Sequence, residues 1–391
     1  MGDTTRVNST DSTPAPTPQA TRETGATTAK PRAERLVSLD AFRGLTIAGM
    51  ILVNNPGTWE AVYPPLRHAD WHGWTPTDLV FPFFLFIMGV SANLSLSKLR
   101  GSSSSAIYLK ILRRTLIIFG LGLFLNAFPN FDLGALRIPG VLQRIAIVYL
   151  VVSVIAINFR LKTQAWIAAA ALIVYWLLMR FVPVPGFGAG QLTPEGNLAT
   201  YIDSALVPGK MYRGTWDPEG ILSTLPSIAT GLAGLLTGYL IKSKLDRVTI
   251  AGWMFVLGWA GMLAGWIWGI WFPINKNIWT SSYVLFTAGA ALNCLGVCYW
   301  LIDCHGWKRW AKPAVVFGMN AIAVYVMSGI VGDLMGVLKV GSISLRQWLY
   351  ETLFASWAAP HNASLAFAIV YVAFWWLVMS LFYRQKWFIK V

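Results

Sequence analysis

The stretch Pro76-Thr77-Asp78-Leu79-Val80-Phe81-Pro82-Phe83-Phe84-Leu85-Phe86-Ile87-Met88-Gly89-Val90 opens a segment that stays mostly apolar to residue 97. About 20 such residues are what a helix needs to cross a hydrocarbon core. Nine more segments of this kind surround it, at 36–54, 107–128, 139–158, 164–182, 219–241, 248–271, 280–302, 313–336 and 364–384. Nothing alternates apolar and polar residues as a barrel strand would. The reading is therefore an all-α, polytopic transmembrane helical bundle of about ten spans.

Composition agrees. Hydrophobic side chains make up 55% of the chain and charged ones 12%, about half the charged share of a soluble domain. That excludes an ordinary soluble globule. The net charge of +14 falls in short clusters between the apolar runs, which excludes a nucleic-acid binder and carries orientation instead. With the amino terminus inside, 21 of the 31 Lys and Arg lie in cytoplasmic segments and eight on outer connections. Arg43 and Arg144 fall within apolar runs. Both termini are expected in the cytoplasm.

Residues 1–35, rich in Thr, Ala and Pro, cannot bury enough surface to order themselves and read as a disordered cytoplasmic tail ahead of a transmembrane domain at 36–391. Cys294, Cys298 and Cys304 are too few for a disulfide framework, and at this spacing in an apolar segment they read as packing, so no metal is expected. In the outer connection 337–363, Leu345, Trp348, Leu349 and Leu353 share one helical face, with Arg346, Gln347 and Glu351 off it. This predicts an interfacial helix near 343–358.

Ionisable residues near apolar segments need a reason to be there. Asp40 lies in the first turn of the first segment with Arg43 three residues on, either a structural ion pair or a cation that also meets an anionic ligand. Across the membrane, the first outer loop reads Arg67-His68-Ala69-Asp70-Trp71-His72-Gly73-Trp74-Thr75. Thr75 followed by Pro76 marks a helix start, and Asp78 completes a capping box, so capping alone accounts for Asp78. It does not account for His68, whose imidazole can take or give a proton near neutral pH. Three more polar clusters approach the same side: Arg137 to Arg144, Asp217 with Glu219, and Asn275-Lys276-Asn277. Four clusters at one end of a bundle make a site there the default reading.

At these residues the sequence resembles the heparan-alpha-glucosaminide N-acetyltransferase family of membrane acyltransferases, in particular its bacterial members linked to N-acetylglucosamine use. The matching stretches are Ser38 to Gly44, Val53-Asn54, His68 to Gly89, Ile138 to Arg144, Tyr201-Ile202-Asp203, Asp217 to Leu222, Asn275 to Tyr283 and Gly318-Met319-Asn320. The resemblance implies that cytoplasmic acetyl-CoA donates an acetyl group to an amino sugar on the far side. It places the family's essential histidine, in a His-Ala-x-Trp-x-Gly run, on His68, and the asparagine after its first helix on Asn54.

The expected mechanism uses His68 as the base for the amine, or as carrier of the acetyl group as an acyl-imidazole. Asp70 or Asp78 would hold its tautomer, and Asn54 or Asn275 would donate to the oxyanion. Lys276, Asn277, Asp217, Glu219 and Arg144 would line the acceptor pocket, and Arg43, Arg113 and Arg114 would meet the phosphates of coenzyme A. The expected setting is a bacterial inner membrane with His68 toward the periplasm, and the expected partners are lipid, an amino sugar and a second copy of the chain. The rival reading is a transporter for N-acetylglucosamine or a related sugar, with the polar cluster as its vestibule.

Overall fold

The computed structural model describes residues 36–96, 99 and 105–389, with positions 2 and 8. The expected tail, apart from those two positions, and the basic residues Lys98, Arg100 and Lys390 lie outside the described residues. Thirteen helices follow in order. They are α1 (Val37–Asn54), α2 (Val80–Leu96, led by a tight turn at Pro76–Leu79), α3 (Ser105–Ala127), α4 (Val141–Asn158), α5 (Leu161–Phe181), α6 (Leu198–Leu206) and α7 (Thr224–Ile241). The second half comprises α8 (Arg247–Trp268), α9 (Ser281–Tyr299, continued by a wide turn to Cys304), α10 (Lys312–Met319), α11 (Ala321–Val337), α12 (Leu345–Tyr350) and α13 (Pro360–Arg384).

Eight of these are long and apolar enough to cross a membrane, and the bent pair α10–α11 makes a ninth. Sequence led us to expect ten. The difference is α3, a helix of 23 residues that carries Lys110, Arg113 and Arg114 along its length. The expected single span at 313–336 is broken at Asn320 by 80°. Asn320 donates from its side chain to the carbonyl of Trp387 and accepts from the amide of Ile389, so the break also fixes the segment after α13.

Without a hydrophobic force between helices in lipid, small residues let backbones approach. A Cβ on Gly89 of α2 would lie 1.9 Å from the carbonyl oxygen of Gly231 in α7, and one on Gly318 of α10 would lie 2.0 Å from that of Asp40 in α1. We expect Gly89→Ala to lower the melting temperature in detergent and broaden the size-exclusion peak, by the roughly 1–3 kcal/mol typical of overpacking. Gly252→Ala, with nothing within 4 Å of its Cβ, should change neither.

The long connections at 183–218 and 337–363 are more structured than their sequences suggested. Pro183–Val184 (β1) pairs antiparallel with Gly188–Ala189 (β2), Pro183 opposite Ala189, and α6 follows. Asn197 starts α6 by accepting from the amide of Thr200 at 2.9 Å. Lys339–Val340 (β3) pairs with Ile343–Ser344 (β4) across Gly341, whose φ of 65° favours glycine. The helix expected near 343–358 is α12 with its wide-turn extension to Ala355. Its leucine face divides: Leu345 and Leu349 pack on the bundle, while Trp348 and Leu353 stay exposed. Arg346, expected to face away, turns inward and donates to Asn55 at 3.1 Å.

Candidate active site

The residues before α2 build one half of the site. Thr75 and Asp78 form the expected capping box around Pro76. Asp78 Oδ2 accepts from the amides of Thr75 and Ala69, both at 3.0 Å. Its other oxygen, Oδ1, meets His68 Nδ1 at 2.6 Å. The Asp78 side chain is 1% exposed and that of His68 48%. A single carboxylate thus starts the helix with one oxygen and holds the imidazole with the other.

The loop before α9 builds the second half. Asn275 folds it: its side-chain oxygen accepts from the amide of Ile278 at 3.1 Å, and its own amide donates to Thr280 Oγ1 at 3.0 Å. This turn sends Lys276 across to the histidine. Lys276 Nζ lies 2.9 Å from His68 Nδ1, 3.1 Å from Nε2 and 3.6 Å from Asp78 Oδ1. With Nδ1–H donated to Asp78, the one ring nitrogen left with a lone pair is Nε2. Burial pulls the pKa of Lys276 down, against the negative charge of Asp78, which holds its proton. The two loops are also joined directly. The amide of Gly73 donates to Ile274 O at 2.7 Å, Tyr283 Oη to Asp78 O at 2.5 Å, and Asn275 Nδ2 meets His72 Nδ1 at 3.3 Å.

His68 and Lys276 open onto a cavity of about 610 Å³. Its wall also includes Asn54, Asp70, Asn277, Arg137 and Glu219, so residues from all four sequence clusters reach it. Arg137 clamps the wall, with Nε and Nη2 on the two oxygens of Asp217 at 2.7 and 2.6 Å and a further bond from Nη2 to Glu219. Burial alone would lower the pKa of Arg137, but Asp217 and Glu219 overcome it and raise it.

Behind this wall, Asp203 on α6 accepts from the amide of Ile221 at 2.8 Å. Burial pushes its pKa up to about 6. A raised carboxylate pKa means the folded state keeps its proton longer, so stability falls as pH rises from about 4 to 6, by roughly 3 kcal/mol. Asp203→Asn should therefore melt higher than the parent protein at pH 7.5 and approach it only below about pH 3.8, where the carboxyl is protonated in both states. A melting difference that did not change with pH would show that this ionisation carries no cost.

Other expected residues sit elsewhere. Asp70 lines the cavity, but the contact with His68 belongs to Asp78. Asn275 and Asp217 are buried behind the wall, holding a turn and a guanidinium, and do not line the cavity. Arg144, 1% exposed, is also behind it, donating to Gly220 O at 3.0 Å and to Ser223, and lying over the Trp279 ring at 5.1 Å. At the opposite end of α1, Arg43 bonds Asp40 at 3.0 Å, Ser91 at 2.8 Å and Gly318 O at 3.4 Å. Arg114 stacks over Tyr149 at 4.8 Å, and Arg113 is exposed. These cations stand on two helices, Arg43 on α1 facing α2 and α10, and Arg113 and Arg114 side by side on α3, with Arg114 facing α4.

Sequence reading missed the aromatic part of the wall: Trp71, Phe81, Tyr212 and Trp216 line the same cavity. It also missed a smaller apolar void between α1, α2, α4 and α11, lined by Ile47, Phe84, Ile145, Ile322 and Tyr325 among others, which shares Met50 and Val141 with the polar cavity.

A histidine oriented by a buried carboxylate, with a lysine against its ring and an open cavity beside it, makes this a polytopic membrane protein equipped for proton or acyl transfer. Residues 35–249, more than half of the chain, match the family model described as heparan-alpha-glucosaminide N-acetyltransferase, catalytic, and the chain belongs to that family. It is 30% identical over 429 residues to the mouse (Mus musculus) heparan-alpha-glucosaminide N-acetyltransferase, covering 93% of this chain and 62% of the relative. It is 31% identical over 422 residues to the human (Homo sapiens) protein of that name, covering 91% and 60%. The chain thus spans about three fifths of the length of these relatives. His68 and Asp78 fall inside the family match, and Lys276 lies beyond it.

Proposed function

We propose that this protein transfers an acetyl group from acetyl-CoA to the nitrogen of an amino sugar. The observation that carries this reading is the 2.6 Å bond between His68 Nδ1 and Asp78, in a family of acetyltransferases. It leaves Nε2 as a base or nucleophile. In direct transfer the amine attacks the thioester carbonyl, its proton passes to Nε2, the C–S bond breaks, and the thiolate leaves to take up a proton. In transfer through the enzyme, Nε2 attacks first and the thiolate leaves; the amine then attacks the acetyl carbon, the bond to Nε2 breaks, and the amine's proton passes to the thiolate or to the freed Nε2. Either way negative charge grows on the carbonyl oxygen, and the Lys276 ammonium beside Nε2 is the donor placed to meet it.

The distribution of Lys and Arg supports a cytoplasmic position for both termini, counting α3 and the α10–α11 pair among ten spans, with the cavity on the outer side of a bacterial cytoplasmic membrane. Acetyl-CoA then arrives from the opposite face, where exposed Arg113, with Arg114 beside it on α3, meets its phosphates. The test is purified protein with labelled acetyl-CoA and glucosamine, followed by mass spectrometry. N-acetylated sugar and free coenzyme A thiol should form one to one. No product, with uptake of labelled N-acetylglucosamine by proteoliposomes, would replace this reading with transport.

A further inference from the structure

Four aromatic side chains line the cavity beside His68: Phe81, buried against the ring of Trp279, and Trp71, Tyr212 and Trp216, which are not equivalent. Tyr212 carries the guanidinium of Arg137 at 4.9 Å and that of Arg213 at 5.2 Å from its ring centre, so its faces are engaged by cations. Trp71 is fixed: its indole Nε1 donates to Leu192 O at 2.7 Å, and its ring meets both His72 and Trp216. Trp216 meets one ring, that of Trp71, edge to face at 5.1 Å and 77°. Among the described residues, no protein acceptor takes its Nε1. Trp216 is therefore a half-buried ring, buttressed from one side by an immobilised neighbour, with the remainder of its surface on the cavity wall.

Near it on the same wall stand carboxylates. Glu219 is held by Arg137, whereas Asp70 and Glu195 line the cavity with no cation bonded to either among the described residues. A ligand matching this wall has an apolar face for the indole, hydroxyls on its edge for carboxylate oxygens and the indole N–H, and a positive group drawn toward the acids. A pyranose ring bearing an ammonium group has all three: axial C–H bonds on one face, equatorial hydroxyls at its rim, and one cation.

We propose that Trp216, buttressed by Trp71, is the platform on which the ring of the acceptor sugar stacks, and that it sets the preference for sugar amines over other amines. This rests on the reading of the cavity as the acceptor site. As a positioning and specificity residue, Trp216 acts on binding of the ring and leaves the chemistry at His68 untouched.

The test compares the parent protein with Trp216→Ala and Trp216→Phe, using glucosamine and the ring-free amine ethanolamine as acceptors. For Trp216→Ala the KM for glucosamine should rise about ten-fold, with the KM for acetyl-CoA and turnover of ethanolamine unchanged. Trp216→Phe should recover most of the loss. Saturation-transfer NMR on the parent protein should mark the axial ring protons of glucosamine, and the mark should weaken in Trp216→Ala. A glucosamine KM within two-fold of the parent, or equal losses for both acceptors, would overturn the platform. If the parent protein acetylates neither amine, the transfer reading falls by itself. The NMR experiment then still decides the platform, because it needs binding alone.

Discussion

His68→Ala is expected to lower the rate of acetyl transfer by a factor of about 10³ or more, with the melting temperature and size-exclusion profile unchanged. The side chain is 48% exposed and its contacts are to Asp78 and Lys276, so its removal opens no cavity in the core. Asp78→Asn should lose roughly 10²–10⁴ in rate for a different reason. An amide there can present N–H to Nδ1, and the imidazole then turns its lone pair inward and its proton toward the ligand. Asp78→Asn should also lower stability, because Oδ2 accepts the amide of Thr75 ahead of α2 and that of Ala69 in the loop, and a neutral amide oxygen holds them less strongly than a carboxylate. The pair of variants separates orientation from chemistry: one loses rate alone, the other loses rate and stability together. A His68→Ala protein with full transferase activity would remove the imidazole from the mechanism.

Arg137→Ala carries the largest expected loss of stability, about 3–5 kcal/mol. The side chains of Asp217 and Glu219 are 0% and 7% exposed, and Arg137 is the cation bonded to both. Removing it leaves two buried carboxylates without the cation bonded to them, and Arg144 and Lys276 act on them only at longer range. Bidentate geometry onto Asp217 makes lysine a poor replacement. Thermal unfolding in detergent should show a large drop for Arg137→Ala, and the triple change Arg137→Ala, Asp217→Asn, Glu219→Gln should regain much of it. If the triple variant melted no higher than the single one, the loss would come from packing of the guanidinium and not from stranded charge.

Much of the bundle can be read from sequence because lipid imposes one rule on every span: a long apolar run whose backbone bonds are internal. The features missed are those in which a polar side chain overrides that rule locally. Asn320 breaks a continuous apolar run by bonding to Trp387 and Ile389, residues about 70 positions away. Asn197 starts α6 inside a connection with no apolar periodicity to reveal it. Within the site, the capping box at Thr75 and Asp78 was legible because its partners are three residues apart. The contact between His68 and Lys276 spans 208 positions, and no local pattern encodes it beyond the polarity that placed both loops at one end. The tryptophans of the cavity wall were hidden by number: with 20 in the chain, an indole reads first as a membrane-interface anchor. Asn275 and Arg144 were drawn into the expected site by their polarity, and burial assigns them to its scaffold.

Those bonds between the loop before α2 and the loop before α9 bear on timing. Gly73 to Ile274, Tyr283 to Asp78 and Asn275 to His72 tie the two loops into one slab. The imidazole, its carboxylate and the lysine are thus held in register by the fold itself, so no part of a ligand's binding energy is consumed in assembling them.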